Sequence, residues 1–537
     1  MDPASIVSQW SLEQQIAQMI VVRASGFLQD EQIRYPQWEP SATKLQGWLK
    51  TWNLGGVILL GGSAAELRLR TEQLQAWAQF PLWLAADIEE GVGHRFSGAT
   101  WFPPPLALAE IYRRDHNLAL DYAQTMGAIT AKEATALGLN WLLGPVADVN
   151  NNPQNPVINV RAFGETPEIA GELASAFIKG AKKHSLLTTA KHFPGHGDTS
   201  TDSHLELPVI PHDAQRLAEI ELPPFKAAIT NGVDTVMSAH LLVPAWDTER
   251  AATLSPKILT GQLRENLGFT GLIVTDALIM GGVANELSPA EIAIQAVEAG
   301  ADVLLMPADP EIAIAAVADA VKQGRLSSAQ VETAVMRIVK AKQKVKTKPS
   351  EHPLDSLAQL MTAQAQISVT GILQQSQREN NLQAQPRTDQ SSGQNLVLVD
   401  DVTHCSDYLQ RHTPAIAHPK AQGLMPSVVD FATFTPELVQ TGVPLLLQLF
   451  IRGNPFRGTA GLPHQLKTQL EELLQISQLQ GVAIYGSPYI SDWIKSAVNP
   501  DTPWVFSYGQ MPEAQKIACE ALLPTTRHTL TPSTEFI

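Results

Sequence analysis

Residues 191–204 read Lys-His-Phe-Pro-Gly-His-Gly-Asp-Thr-Ser-Thr-Asp-Ser-His, gathering a lysine, three histidines and two aspartates around two glycines. Side chains of these types move protons and grip polar ligands, and a merely structural connection has little use for so many of them. The apolar run Ser185-Leu186-Leu187-Thr188-Thr189-Ala190 stands directly before them. The segment therefore reads as a buried strand opening into a polar loop, which is an active-site loop rather than a solvated connection with incidental histidines. Four other clusters share this design. They are Asp87-Ile88-Glu89-Glu90-Gly91-Val92-Gly93-His94-Arg95, the stretch 145–150 running on to Asn155-Pro156-Val157-Ile158-Asn159-Val160-Arg161-Ala162-Phe163-Gly164, Met237-Ser238-Ala239-His240, and Val274-Thr275-Asp276-Ala277-Leu278. Carboxylates and bidentate arginines together hold a ring of hydroxyls by charge-assisted hydrogen bonds, so a pocket of this composition suits a sugar.

The clusters need a scaffold that brings them to one rim. Short apolar runs at 16–22, 56–60, 81–86, 140–146, 186–190, 235–239, 272–275 and 301–306 alternate with amphipathic stretches such as 166–184 and 288–299. In the latter, Ser288-Pro289 supplies an N-cap followed by proline at the first helical position. Eight strands alternating with helices predict an α/β fold, an N-terminal (β/α)8 TIM-type barrel, with a doubly wound open sheet as the structural alternative. The expected barrel domain covers 1–350, closed by a helix over 326–345. A helical and polar linker covers 351–394, its stretch 375–394 rich in Gln, Asn, Arg and Ser. A smaller C-terminal α/β domain covers 395–537, with strands at 396–399, 444–450, 482–485 and 505–509 and a helix near 512–522; it carries no catalytic motif.

The totals agree with two soluble domains. The chain has 537 residues, 44% of them apolar, and a mean hydropathy near zero. The net charge of −15 argues against nucleic acid or an anionic membrane as the main partner. Cys405 and Cys519 are the only cysteines, which excludes a disulfide framework and a cysteine zinc site but leaves a single bridge open. The N-terminus lacks a basic region followed by an apolar core, and no run is long and apolar enough to span a bilayer, so a cytoplasmic location is expected.

The motifs resemble glycoside hydrolase family 3, and most closely its β-N-acetylglucosaminidase branch. The resemblance rests on KHFPGHGDTSTDSH, on Asp87, Glu89, Gly91 and Arg95, on NPVINVRAFG and on the late TDAL, and it covers about residues 10–345. The tail FSYGQMPEAQKIACEALL is similar to the end of that family's second domain. By position, the resemblance implies that Asp276 is the catalytic nucleophile of a retaining mechanism, in place of an aspartate merely capping the next helix. It implies His204 as acid/base in place of the usual carboxylic acid, with Asp202 fixing the imidazole. Glycines 195 and 197 would free the loop to deliver His204. Asp87, Arg95, Arg161, Lys191 and His192 match sugar-binding positions. His196 and Asp198 receive no direct role, and His240 either lines the rim or fills a core contact. Glu90 departs from the family pattern, which has glycine there.

The expected activity is that of an exo-acting β-N-acetylhexosaminidase taking terminal N-acetylglucosamine from carbohydrate substrates such as muropeptide-type fragments of peptidoglycan recycling, without metal or organic cofactor. A β-glucosidase or a phosphorylase of the same family is the nearest alternative. More distant are a metal-dependent barrel hydrolase using His192, His196, Asp202 and His204 as ligands, and a sugar-binding protein without turnover.

Overall fold

A computed structural model describes residues 3–345, 352–380, 382, 392–453 and 460–524. These residues form two compact units that divide at Ile372/Leu373, with Gly453 and Ala460 belonging to the first. Much of the polar stretch 375–394, expected as a linker, lies outside the described residues.

The first unit is a ring of eight parallel strands: β1 (Ile20–Ser25), β2 (Gly56–Leu60), β3 (Trp83–Ala86), β4 (Trp141–Leu142), β5 (Leu187–Phe193), β6 (Thr235–Ser238), β7 (Leu272–Val274) and β8 (Leu304–Leu305). Each strand pairs with its sequence neighbours, and β8 pairs with β1. The ring closes between β7 and β8 through the single bridge Val274–Val303. Side chains reinforce that seam: Asp302 Oδ2 accepts from Ile273 N at 2.8 Å, and Leu305 N donates to Thr275 Oγ1 at 2.9 Å. The barrel expectation holds, and the open sheet is excluded for this unit.

Inside the ring, the buried rings of Trp83 and Trp141 pack 4.9 Å apart. The Trp141 indole donates to Thr189 Oγ1 at 2.8 Å, and Thr189 shares a 2.6 Å hydrogen bond with Thr235. This satisfies the polar atoms of an interior layer drawn from three adjacent strands. Around the ring, the helices begin where capping chemistry sets them. Thr166 and Ser288 cap Pro167–Ala181 and Pro289–Ala299, each with proline in the first turn.

Strand boundaries shift where local chemistry intervenes. The run 16–22 splits, because Ser11 and Gln14 form a reciprocal capping box that makes Leu12–Gln18 a helix, and β1 starts only at Ile20. The run 140–146 contributes two strand residues, since Pro145 has no N–H for the ladder. By contrast, β5 runs beyond the apolar run to Phe193, with Lys191 and His192 near its end.

The second unit is a six-stranded sheet in the order β11-β10-β12-β13-β14-β9. Its strands are β9 (Arg378–Asn380), β10 (Gly393–Val399), β11 (Leu424–Asp430), β12 (Leu445–Ile451), β13 (Leu479–Gly486) and β14 (Trp504–Ser507). All pairs are parallel except β14 with β9. Strands β9 and β11, at the two edges, were not expected from sequence. Both cysteines are free and buried.

Candidate active site

Strands β3, β4, β5 and β7 deliver the candidate residues to the carboxyl-end rim of the barrel. Lys191, Asp87, Arg161 and Glu89 form one ionic cluster, buried at Lys191 and Glu89 and partly exposed at Asp87 and Arg161. Lys191, 2% exposed at the end of β5, donates to Asp87 Oδ1 at 2.7 Å and lies 2.6 Å from Glu89 Oε1. Arg161 clamps Glu89 with two 2.8 Å hydrogen bonds, from Nε and Nη2, and donates from Nη1 to Val157 O at 2.9 Å. Two carboxylates thus meet two cations, so the cluster is neutral as a whole. Burial opposes the charge on Glu89, but the adjacent Arg161 and Lys191 win and hold its carboxyl well below the usual range. Lys191 and Arg161 are likewise held charged by these carboxylates against the penalty of burial. Asp87 keeps a side chain that is 25% exposed, and Arg95 Nε donates to the Asp87 carbonyl at 3.0 Å.

A second group centres on buried Asp148. Its carboxylate accepts from His192 N at 3.1 Å, His196 N at 2.7 Å and His192 Nδ1 at 2.8 Å. A carboxylate only accepts, so the His192 proton sits on Nδ1. Asn155 fastens the neighbouring loop: Nδ2 donates to the carbonyls of His196 (2.7 Å) and Gly197 (3.0 Å), and Oδ1 accepts from Val157 N and Ile158 N.

The third group contains the residues expected to react. Asp202, buried, accepts at Oδ1 from His204 N and from His204 Nδ1, both at 2.9 Å. His204 keeps a side chain 22% exposed, and its Nε2 is the atom through which a proton can pass. Asp276 follows β7, and its Oδ1 accepts from Ala277 N at 2.7 Å. Burial works to raise the Asp276 pKa, but His192, His240, the Ala277 amide and His204 together lower it to about 2. His240 is fully buried, with Nε2 donating to Ala277 O at 3.0 Å and Nδ1 on Thr253. It is a core contact that acts on Asp276 through its field.

His196 and Asp198 are scaffolding. His196 uses both ring nitrogens, on Thr199 Oγ1 and Ser203 Oγ at 2.9 Å each, and Asp198 ties the loop to His212 and Arg216. Burial lowers the His196 pKa to about 4. Its folded value lies below the unfolded one, so the stability it permits is present above about pH 6.5 and is lost as pH falls toward 4. Between pH 7 and 5 this one group removes about 2 kcal/mol. We expect His196→Gln to flatten the corresponding slope in the urea midpoint measured at the two pH values; an unchanged slope would refute the assignment.

The loop glycines are closely surrounded. A Cβ on Gly197 would meet Val149 O at 1.7 Å, and one on Gly195 would meet the Glu221 side chain at 2.8 Å. Both are closely packed, and Gly195 also has a φ of +138°, a conformation that favours glycine. Glu90, the departure from the family pattern, is fully buried and accepts from the Trp101 indole at 3.1 Å, with the His94 ring stacked on Trp101. The three ligand candidates His192, His196 and His204 spend ring nitrogens on Asp148, Thr199, Ser203 and Asp202. No three His, Cys, Asp or Glu side chains converge as a metal site among the described residues.

Sequence reasoning gave no role to Asp148, Glu89 or Asn155. All three lie inside the clusters it singled out, but they act by holding other side chains, which spacing alone does not reveal.

A parallel barrel with its ionisable residues on the carboxyl-end loops places the chain among the (β/α)8 enzymes. More narrowly, it belongs to glycosyl hydrolase family 3. The N-terminal domain model of that family matches residues 11–341, and the bacterial C-terminal domain model matches 387–524. The chain is 34% identical over 333 residues to beta-hexosaminidase A of Pseudoalteromonas piscicida, a match covering 56% of this chain and 55% of that protein, so it spans little more than half of that relative. The structure of a family 3 β-N-acetylglucosaminidase from Paenibacillus sp. str. FPU-7 superposes with a TM-score of 0.78 at 27% identity, covering 96% of this chain and 97% of that one. A β-glucoside phosphorylase, BglX, shares the fold with a TM-score of 0.80 at 22% identity, covering 97% and 94%. No helix among the described residues is long and apolar enough to cross a membrane.

Proposed function

We propose that this chain is a retaining exo-β-N-acetylglucosaminidase that hydrolyses terminal β-linked N-acetylglucosamine, with cytoplasmic peptidoglycan fragments as its source. The observation that carries the reading is the His204–Asp202 pair: a partly exposed imidazole whose Nδ1 is bound by a buried carboxylate, within electrostatic reach of an ionised Asp276. The naming of similar proteins as hexosaminidases supports the choice of sugar.

In the first step an Asp276 oxygen attacks the anomeric carbon and the glycosidic C–O bond breaks. The departing oxygen takes the proton from His204 Nε2, leaving a glycosyl-aspartate. In the second step His204 Nε2 removes a proton from water, the water oxygen attacks the same carbon, and the bond to Asp276 breaks. Asp202 fixes the tautomer and the orientation of the ring, leaving Nε2 to face the substrate. Asp87, Arg95, Arg161, Lys191 and His192 hold the hydroxyls of the sugar that is transferred to Asp276, with Glu89 and Asp148 keeping the last three in place.

The test compares 4-nitrophenyl β-N-acetylglucosaminide and β-glucoside. We expect a strong preference for the N-acetyl substrate. We also expect His204→Ala to lose about 10²-fold or more in kcat/KM on poorly activated aglycones, the usual worth of general acid catalysis. A glucoside preference moves the protein to the other branch, and appearance of a sugar 1-phosphate on adding inorganic phosphate makes it a phosphorylase.

A further inference from the structure

The two segments proposed to react are fastened to each other. Gly281 N donates to His204 O at 3.2 Å, Gly282 N donates to Ser203 O at 3.1 Å, and Asn285 Nδ2 donates to Leu205 O at 3.0 Å. Three successive carbonyls, centred on His204, thus accept from one short stretch that begins five residues after Asp276. The fit leaves no space between them. A Cβ on Gly281 would lie 2.6 Å from Leu205 O and 2.8 Å from His204 O, and one on Gly282 would lie 3.0 Å from Ser203 O and 3.2 Å from the His240 side chain. Neither glycine has a positive φ, so backbone conformation does not demand glycine at either position. Close approach does. The opposite side of the turn is held too: Ser203 Oγ sits on His196 Nε2, and the Leu205 and Glu206 amides donate to Asp202 O at 3.0 and 3.1 Å.

We propose that Gly281, Gly282 and Asn285 are positioning residues, a clamp by which the loop of the nucleophile sets where His204 delivers its proton. This rests on the reading of Asp276 and His204 given above. The clamp acts on the backbone of the histidine and touches no reacting atom. Its loss therefore impairs proton delivery and spares the attack by Asp276.

The experiment is a leaving-group series on the full chain, using 2,4-dinitrophenyl, 4-nitrophenyl and 4-methylumbelliferyl β-N-acetylglucosaminides. The variants are Asn285→Ala, Asn285→Asp and Gly282→Ala. Asn285 is exposed and lies outside the core, so its variants remain informative where the glycine variant fails to fold. We expect kcat/KM on the most basic leaving group to fall at least about 10-fold, in line with the cost of small misplacements. On the dinitrophenyl substrate, which needs no acid, the fall stays within about 3-fold. Combining Asn285→Ala with His204→Ala should add almost nothing to the loss from His204→Ala alone. An active wild type whose Asn285 variants keep the wild-type dependence on leaving group overturns the clamp by itself. A wild type inert to the whole series overturns the functional reading, and the clamp with it.

Discussion

Asp276→Ala is expected to lower kcat/KM on aryl β-N-acetylglucosaminides by on the order of 10⁴-fold, whatever the leaving group, since no glycosyl-enzyme can form. The independence from leaving group separates this variant from His204→Ala. Added azide should restore turnover and yield the α-glycosyl azide, because a small anion entering where the carboxylate stood attacks once and inverts. Wild-type activity in Asp276→Ala would remove the covalent mechanism. With a pKa of about 2, the carboxylate remains ionised from neutral pH down past pH 4. An acid limb in kcat/KM that has its midpoint above pH 4 therefore belongs to another group.

The second large effect is on stability. Glu89→Ala leaves the buried Lys191 and the part-buried Arg161 with one carboxylate, Asp87, in place of two. Breaking a buried ion pair from one side costs about 3–5 kcal/mol. We expect a loss of that size in urea unfolding of the barrel unit, together with a raised KM. The exposed pair Glu291–Arg325 provides the contrast. Hydrogen bonds from Arg325 and Gln295 bring Glu291 to about 2, but its side chain and that of Arg325 are 31% and 39% exposed. Solvent screening reduces such pairs to about 1 kcal/mol or less, so Glu291→Ala should scarcely move the midpoint. The Glu89 term is fully present above the ordinary glutamate pKa and is lost progressively as pH falls from there toward the much lower folded value. Equal losses from the two variants would mean that the cluster around Lys191 is hydrated and not buried.

The eight-fold alternation was legible because parallel strands buried on both faces read as unbroken apolar runs, and Gly56–Leu60 is such a run end to end. Errors fell where a specific polar interaction overrode hydropathy, as at the Ser11–Gln14 capping box. The edge strand Leu424–Asp430 was missed because its sequence, LMPSVVD, includes a proline that only an edge tolerates and shows neither alternation nor a continuous apolar run. At the site, residues that meet a substrate were visible as clusters of chargeable groups. Asp148, Glu89 and Asn155 were not, since their partners lie 44, 72 and 41 residues away in the chain. Glycines 195 and 197 suggested mobility when judged by type alone. The neighbouring atoms add what type alone does not show, a close approach at both and a positive φ at Gly195.

The seam of the barrel has a consequence for the order in which the protein is made. Asp276 stands two residues beyond the bridge that joins β7 to β8, and the Thr275 hydroxyl beside it receives the Leu305 amide. A nascent chain that has released Asp276 but not yet Leu304–Leu305 holds every residue proposed for catalysis, and the strand carrying the carboxylate lacks its second neighbour. The last barrel strand to emerge aligns the group proposed to attack first. Activity should therefore appear only when the ring shuts, which would make turnover a direct clock for barrel closure during synthesis.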